Sequence, residues 1–370
     1  MKQQTQTKQL PNGWKEVKLS EVLDYEQPTE YIIHSEILEE ETSVPVLTAN
    51  KGFVRGYTKE TKGIFNDIPV IIFDDFTTDT KFVNFPFKVK SSAMKILKLK
   101  DKDALLKYIF YQMQTFNVRA TTHKRYYLSE YQNLDFLFPV DKNQKISLEE
   151  QQAIVSAIET QFTRLDESVK SLQAVKQKLE VYRKAVLKKA FEKKEGWISS
   201  NIGNEVKVRY GKGLPDRVRN NEGSIPVYAS AGRVGTHNVG LIDFPTIVVA
   251  RKGSIGNNFI VKEPCWPIDT VYYLENIKLD INYLFHFLNF SVFKDTSTAV
   301  PSLRRGDLEA IKISYPPSLS EQSQIVQSIE DKFSVIDKLE QVVEASLSKA
   351  DKLRKSILKA AFEGKLVKNG

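Results

Sequence analysis

Two long stretches of the chain carry apolar residues at alternating spacings of four and three. In the stretch from Ser147 to Phe191, the stripe is expected to run through Ile158, Phe162, Leu165, Val169, Leu172, Val175, Leu179, Tyr182 and Val186. In the stretch from Ser318 to Phe362, it is expected to run through Ile329, Phe333, Ile336, Val343, Leu347, Ala350, Leu353 and Ile357, with Glu340 as an interruption. A narrow stripe with this period predicts a long helix that packs lengthwise against another helix.

The two stretches are copies of one another. SLEEQQAIVSAIETQF, which begins at Ser147, returns as SLSEQSQIVQSIEDKF from Ser318, and the offset of 171 residues holds without a gap to the AFEK and AFEG endings. Each copy opens with Ser followed three residues later by Glu, a pattern that caps helix starts. Gly196 and Gly364 supply the residue type that ends helices. One such stripe alone would indicate an ordinary amphipathic helix, but two copies favour an intramolecular antiparallel coiled-coil pair.

Two segments outside the repeat show the shorter patterns of strands. Apolar runs such as IPVIIFDDF and TIVVAR predict buried strands, and a helical stretch followed by a proline-ending strand closes each segment. Gly13-Trp14 opens the first segment and Gly196-Trp197 the second, and VPVLTANKG in the first matches IPVYASAGR in the second. The predicted fold class is α+β, with two mixed α/β domains of one fold joined by two long helices in a pseudo-two-fold arrangement.

Composition narrows the class of protein. The chain has 370 residues, of which 41% are apolar, enough for two or three domains with cores of their own. Its single cysteine, Cys265, excludes an internal disulfide framework and a cysteine-based zinc cluster. The opening MKQQTQTKQLPNG is polar, and no apolar run approaches the ~20 residues of a membrane span. We therefore expect a cytoplasmic protein that does not contact the membrane.

Candidate nucleic-acid contacts lie in loops rich in basic, glycine, amide and hydroxyl residues. The net charge of +8 is spread over the segments, so it is weak evidence by itself. Lys and backbone N–H groups suit phosphates, whereas Arg and Asn suit base edges in the major groove. The candidates in the first segment are Lys51, Arg55, Lys59, Lys81, Ser91, Ser92, His123, Lys124 and Arg125. Those in the second are Arg209, Lys212, Arg217, Arg219, Arg233, His237, Arg251, Lys252, Ser254, Arg304 and Arg305. One basic loop usually belongs to a solvated surface, but several in each of two related domains favour DNA binding.

Two other classes of protein stay open. The run FDDFTTDTK, with Asp74, Asp75 and Asp79-x-Lys81, loosely resembles the site of a metal-dependent nuclease, although such a triplet is common by chance. A non-catalytic structural adaptor is the other alternative. The sequence has no phosphate-binding GxxxxGK[ST] loop, and its four histidines lack the spacing of metal ligands. We therefore assign no catalytic and no metal-binding residue.

The order of these parts resembles the specificity subunit of a Type I restriction-modification system over nearly the whole chain. The resemblance rests on Glu150-Gln151 and Glu321-Gln322 and on the endings Ala190-Phe191-Glu192 and Ala361-Phe362-Glu363. It also rests on the runs RKGSIG and CWPIDT in the second domain, and on YEQPTEY, PVLTANKG, GYTKETKG, IIFDDFTT and KSSAMK in the first. One departure is the additional DKNQK before the first long helix.

The resemblance implies a division of labour along the chain. It implies a flexible lead-in (1–13), a target-recognition domain (14–146), a conserved spacer helix (147–195), a second target-recognition domain (196–317) and a second conserved spacer helix (318–370). Each domain would read one half of a split site on double-stranded DNA, and the helices would set the distance between the halves.

The resemblance also implies partner proteins. Two modification (methyltransferase) subunits would dock on the helices, and restriction (motor-nuclease) subunits would complete the complex. The partner contacts would be Glu150, Gln151, Phe191, Glu321, Gln322 and Phe362. The partners would bring S-adenosylmethionine, ATP and Mg²⁺, while this chain would bind no cofactor and catalyse nothing.

Overall fold

A computed structural model describes residues 10–37, 44–48, 52–116, 125–220, 222–293 and 301–367. The chain forms two compact units. Unit 1 comprises Met1–Ser171 with Ser346–Gly370, and unit 2 comprises Leu172–Ala345. The sequence-based division gives each long helix a segment of its own, whereas the contacts assign part of each long helix to each unit. No helix among the described residues is long and apolar enough to cross a membrane.

The described residues of unit 1 form three sheets. Its elements before the first long helix are β1 (Trp14–Lys18), α1 (Leu19–Val22), β2 (Leu23–Glu26), β3 (Val44–Leu47), β4 (Val54–Thr58), β5 (Val70–Asp74), β6 (Thr80–Val83), β7 (Lys88–Val89), β8 (Met94–Leu99), α2 (Leu106–Met113), α3 (Tyr126–Ser129) and β9 (Asp135–Pro139). The strands are ordered β2-β8-β5-β6, β4-β3-β7 and β1-β9. The first long helix, α4 (Leu148–Ala190), follows.

Unit 2 repeats this topology. Its elements are β10 (Ile198–Asn201), α5 (Ile202–Glu205), β11 (Lys207–Tyr210), β12 (Ile225–Ala229), β13 (Gly232–His237), β14 (Thr246–Ala250), β15 (Asn258–Val261), β16 (Trp266–Pro267), β17 (Val271–Glu275), α6 (Ile281–Phe290), α7 (Arg305–Glu309) and β18 (Lys312–Tyr315), before the second long helix α8 (Leu319–Phe362). The strand orders β11-β17-β14-β15, β13-β12-β16 and β10-β18 match those of unit 1 strand for strand. Even the register shift between Val46 and Leu47 has its counterpart between Val227 and Tyr228. The prediction of two domains of one fold is confirmed.

One inner strand of each four-stranded sheet, β5 or β14, is buried along its whole length. All five residues of β5 and of β14 are buried, which explains why these segments read as continuous apolar runs rather than as alternating ones. In unit 1 the main core joins β5 and α2 to the first part of α4 and the last part of α8. In unit 2 the main core joins β14 and α6 to the last part of α4 and the first part of α8.

The long helices begin as predicted and end differently from one another. Ser147 Oγ accepts the N–H of Glu150 at 3.3 Å, and Ser318 Oγ accepts that of Glu321 at 3.4 Å, so both serines cap their helices. Gly364, with φ of +69°, ends α8, because it lets the N–H of Lys365 reach the carbonyl of Ala360 at 2.9 Å. Gly196 does not end α4, which stops at Ala190, and the prediction for this glycine was wrong.

The seam between the long helices keeps a strict alternation of four and three, but three predicted members are wrong. Val175, Tyr182 and Leu353 are 42%, 51% and 48% exposed, respectively. The seam instead passes through the next residue in each case, namely Lys176, Arg183 and Arg354. These charged residues reach across to acidic partners on the other helix, so their long stems pack at the interface while their charges stay paired.

Ion pairs establish that the helices run antiparallel. In unit 2, Lys176 pairs with Glu344 and Arg183 pairs with Asp337, so seven residues forward on α4 match seven residues back on α8. Glu340 also belongs to the seam, since its carboxylate lies 3.2 Å from the guanidinium of Arg183. In unit 1, Arg354 pairs with Asp166. The predicted antiparallel pairing is confirmed.

Candidate nucleic-acid interface

Several of the predicted basic loops of unit 2 leave one end of its four-stranded sheet. Tyr210 pairs with Tyr272, Ala250 with Val271, and Val249 with Asn258. The ends of β11 and β14 therefore meet the starts of β15 and β17. We call this end of the sheet, together with the loops that leave it, the loop edge of unit 2.

Hydrogen bonds tie the loops together at this edge. The N–H of Leu303 donates to the carbonyl of Arg251 at 2.9 Å, which joins the PSLRR segment to the loop after β14. Ser230 Oγ, in the turn between β12 and β13, donates to the carbonyl of Thr270 at 2.8 Å. The N–H of Lys212 donates to the carbonyl of Pro267 at 3.0 Å. Loops far apart in sequence thus form one surface.

Four predicted DNA contacts of unit 2 already have acidic partners. The pairs are Arg209–Glu275, Arg219–Asp216, Arg304–Asp307 and Arg305–Glu309, at 2.7–2.9 Å. Hydrogen bonds to Glu275 and Asp307 raise the pKa of Arg209 and of Arg304 above the usual value. Arg219 is the most enclosed, because it also donates to the carbonyl of Leu214 at 3.1 Å. Its guanidinium therefore holds its own loop.

Four other predicted contacts carry exposed cations. Within the part of the chain that the structure describes, Lys212, Arg217, Arg233 and Lys252 make no ion pair. Ser254 is exposed beside them in the loop after β14. His237 is partly buried, since its Nδ1 accepts the N–H of Asn220 at 3.3 Å and its ring packs on Trp266. Free cations on adjoining loops suit a polyanion.

Arg251 differs from the other cations described at this edge, because aromatic rings hold its guanidinium. Its guanidinium carbon lies 5.0 Å from the centre of the Tyr210 ring and 5.4 Å from that of Tyr272. Its Nη1 donates to the carbonyl of Asp269 at 2.8 Å. Burial raises the pKa of Tyr272. No pattern in the sequence points to the two tyrosines, because their contact with Arg251 depends on the register between β11 and β17.

Unit 1 has the corresponding loop edge at the end of β5 and the starts of β6 and β8. The N–H of Asp75 donates to the carbonyl of Ala93 at 3.3 Å, and the N–H of Tyr126 donates to the carbonyl of Asp75 at 3.0 Å. These bonds bring Arg125 and the exposed Ser91-Ser92 turn to the same edge. The exposed cations without an ion pair among the described residues of this unit include Arg55, Lys59, Lys81 and Arg125. Lys51, His123 and Lys124 lie outside the described residues.

The acidic run of unit 1 has structural partners. The Asp74 carboxylate accepts the N–H of Phe76 at 2.8 Å and the hydroxyl of Thr77 at 2.6 Å, and it thereby shapes the turn after β5. The Asp75 carboxylate accepts the N–H of Tyr127 at 2.9 Å. The described residues contain no group of three or more metal-ligating side chains. The nuclease alternative is not favoured.

Four of the six predicted partner contacts are engaged within this chain. Gln151 Oε1 accepts the N–H of Leu105 at 2.9 Å, and Gln322 Oε1 accepts that of Asp280 at 2.8 Å. Both glutamines are fully enclosed. The buried rings of Phe191 and Phe362 pack edge-on against Tyr283 and Tyr108, respectively. Glu150 and Glu321 are the members of the set that reach the surface.

Comparison with known proteins defines the class to which this fold and these loop edges belong. Residues 194–347 match the family model of the Type I restriction modification DNA specificity domain. The chain is 32% identical over 356 residues to the Type I restriction enzyme EcoR124I/EcoR124II specificity subunit of Escherichia coli, covering 86% of each protein. It is 34% identical over 97 residues to the EcoDI specificity subunit of E. coli, covering 25% of this chain and 22% of that one. The chain belongs to the specificity subunits of Type I restriction-modification systems, the family of DNA-recognition subunits.

Solved structures agree on the fold. A chain from a study of complex assembly and conformational transition of the type I R-M system superposes with a TM-score of 0.75 at 17% identity, covering 97% of this chain and 100% of that one. The HsdS subunit from Thermoanaerobacter tengcongensis superposes with a TM-score of 0.54 at 17% identity, covering 97% and 99%. The similarity therefore extends over both units.

Proposed function

We propose that this chain reads a bipartite site on double-stranded DNA, with unit 1 reading one half and unit 2 the other. The observation that carries the proposal is the repeated topology of the two units, each with exposed cations at its loop edge that make no ion pair among the described residues. Because the two units share one topology, each can contact DNA in the same way. Because their loops differ in sequence, each can read different bases. Cations that face phosphates anchor the protein, and side chains that reach base edges give specificity.

The partners follow from the family. Two modification subunits dock on this chain and methylate adenine within the site, and restriction subunits join them to cleave DNA. S-adenosylmethionine, ATP and Mg²⁺ belong to those subunits. This chain supplies recognition without catalysis, in the cytoplasm where the DNA is accessible. The carboxylates of Glu150, which is half-buried, and of Glu321, which is exposed, stand at equivalent places on α4 and α8 and suit a pair of identical partners.

Methylome sequencing tests this function. The chain is expressed with its modification subunits in a host that lacks adenine methylation of its own, and methylated adenines are mapped by long-read sequencing. We expect one motif with two specific halves and an unread gap. A single contiguous motif, or methylation that does not depend on this chain, would contradict the proposal. The matched control is the same host with the modification subunits alone.

A further inference from the structure

Unsatisfied polar atoms gather at the loop edges. Among the described residues, four buried side-chain atoms lack a hydrogen-bond partner: Lys95 Nζ, Arg251 Nε, Asn258 Oδ1 and Thr270 Oγ1. Arg251 directly follows β14, Asn258 begins β15 and Thr270 directly precedes β17, so three of them belong to the loop edge of unit 2. Lys95, in β8, belongs to that of unit 1. Buried polar groups in folded proteins are nearly always paired, so the three unpaired atoms of unit 2 set its loop edge apart. In unit 1, Lys95 Nζ lies 3.5 Å from the Asp75 carboxylate.

Arg251 and Asp75 occupy equivalent positions. The N–H of Arg251 donates to Thr270 and its carbonyl accepts from Leu303, as the N–H of Asp75 donates to Ala93 and its carbonyl accepts from Tyr126. Tyr272 stands opposite Val249 as Lys95 stands opposite Phe73. The pair Arg251–Tyr272 in unit 2 thus replaces the pair Asp75–Lys95 of unit 1.

In unit 1, the side chains at these two positions are buried and contact each other. Both Asp75 and Lys95 are buried, and their charged atoms lie 3.5 Å apart. Burial lowers the pKa of Lys95 below the usual value for a lysine, while Asp75 opposes that shift. The Asp75 carboxylate also holds the N–H of Tyr127. The pair is an internal ion pair that secures α3 to the sheet.

In unit 2, the side chain at the position equivalent to Asp75 reaches the surface. Arg251 is partly exposed and faces no carboxylate within hydrogen-bond or ion-pair distance among the described residues. Two aromatic rings and the carbonyl of Asp269 hold its guanidinium. That carbonyl and the Tyr272 hydroxyl both engage the guanidinium from within the chain. A guanidinium carries five N–H groups, so these two acceptors do not use all of its donors. A fork of parallel N–H groups is the donor pattern that matches O6 and N7 of guanine.

We propose that Arg251 is the base-reading residue of unit 2, that it takes a guanine edge in the major groove, and that Tyr210 is a positioning residue that holds its guanidinium. The assignment rests on the proposed function. A guanidinium stacked on rings is pre-organised, so it loses less freedom on binding than a free arginine side chain. Tyr210 is 52% exposed and stands beside the fork. The equivalent pair in unit 1, Asp75–Lys95, does not read bases.

The test uses the full chain with its modification subunits and the motif found by methylome sequencing. Binding is measured on the matched duplex and on duplexes in which each base pair of the unit 2 half-site is replaced in turn. We expect Arg251→Lys and Arg251→Gln to reduce discrimination about 5- to 150-fold at one G·C pair and to leave the other positions unchanged. Arg251→Lys keeps the charge and carries the test if Arg251→Gln does not fold.

Two results would overturn the assignment. Arg251 variants that keep every base preference would show that another residue reads the base. Variants that lose affinity equally on all duplexes would show that Arg251 is a phosphate anchor. The matched control is Asp75→Asn with Lys95→Met, for which we expect lower thermal stability and an unchanged motif. A wild-type complex without a bipartite motif would instead refute the proposed function itself.

Tyr210 provides an independent readout. We expect Tyr210→Ala to reduce discrimination at the same G·C pair and Tyr210→Phe to restore it, because the ring rather than the hydroxyl holds the guanidinium. A Tyr210→Ala variant that melts at a lower temperature but keeps full discrimination would show a role in stability alone.

Discussion

The guanidinium carbon of Arg183 lies 4.5 Å from the centre of the Phe333 ring, across the two long helices. The equivalent residues of the repeat make the same contact. The guanidinium carbon of Arg354 lies 4.2 Å from the centre of the Phe162 ring. Each arginine also pairs with an aspartate one turn beyond the ring, Asp337 or Asp166. The repeat in the sequence is therefore a repeat of contacts, made once in each unit.

These arginines should stabilise the units separately. We expect Arg183→Ala to lower the free energy of unfolding by about 1–2 kcal/mol through the lost stack and the lost partly exposed ion pair. Arg354→Ala should have a similar effect, and the double variant should show their sum, because the two sites share no partner. Chemical denaturation measures both effects. If neither single variant lowered the free energy of unfolding, the contacts between arginine and phenylalanine would contribute nothing to stability.

Gln151 and Gln322 occupy equivalent positions in the repeat. Each binds the backbone just before the shorter helix of one unit, α2 or α6. Besides the N–H groups that they accept, Gln151 donates to the carbonyl of Asp103 at 2.9 Å and Gln322 to that of Pro316 at 2.9 Å. We expect Gln151→Ala to cost about 1–3 kcal/mol, because it leaves buried backbone groups unpaired. Hydrogen exchange should show faster opening of α2, with α6 unchanged.

The control for this prediction is Gln152→Ala, since Gln152 is the exposed neighbour on the same helix. Gln322→Ala should reverse the pattern and loosen α6 instead of α2. Equal acceleration of both helices by either glutamine variant would contradict a role confined to one unit.

Much of this architecture could be predicted because the sequence contains two copies of the long helix and two related domains. The ungapped repeat indicated two long helices, and the shared landmarks Gly13-Trp14 and Gly196-Trp197 indicated two related domains. The seam was harder to place. Val175 and Tyr182 are apolar and fit a helical stripe, but the strict alternation falls on Lys176 and Arg183. Apolar character alone could not show that long cationic side chains occupy the interface through their stems.

The exposed cations of the loops were predictable as a class rather than one by one. The loops with Arg209, Arg219, Arg304 and Arg305 are basic in sequence, yet their charges are paired with acids that strand register and short helices bring near. Arg251 stood in the same set, without any sign of its tyrosine stack. Pairing depends on tertiary contacts, and a single sequence carries no direct record of them.

Exposed lysines of unit 2 should act as anchors. We expect Lys212→Ala and Lys252→Ala to weaken binding to all sequences alike and to reduce the slope of log affinity against log salt by about one each, if each contacts one phosphate. Arg304→Ala should change the slope less, because Asp307 already neutralises its charge. Titrations over a range of salt concentrations check this ordering. A larger change for Arg304 than for either lysine would refute it.

His286 should make unit 2 sensitive to acid. It lies on α6 with its Nε2 3.8 Å from a carboxylate oxygen of Glu330 on α8, and burial lowers its pKa although Glu330 and Asp280 oppose the shift. A histidine whose pKa is lower in the folded state stabilises the fold fully above the unfolded value of ~6.5 and loses that contribution as the pH falls through the folded value. We expect His286→Gln to flatten the decline in stability below about pH 6.5, measured by thermal melting. An unchanged decline would exclude this histidine as its cause.

Exchange of the second domain should change one half of the DNA motif. Gln322 holds unit 2 through the backbone N–H of Asp280, and Phe191 packs on the Tyr283 ring, so a replacement domain needs at least a helix start and an aromatic residue at these places. We expect replacement of residues 196–317 by a related domain with both features to yield a folded chain. Its methylated motif should keep the half read by unit 1 and carry a new second half. The matched control is the same replacement with its aromatic residue at the position of Tyr283 changed to Ala, which should fold less stably without altering the new bases read. Long-read methylome sequencing of both strains decides the outcome, and simultaneous change of both halves would refute the independence of the two units.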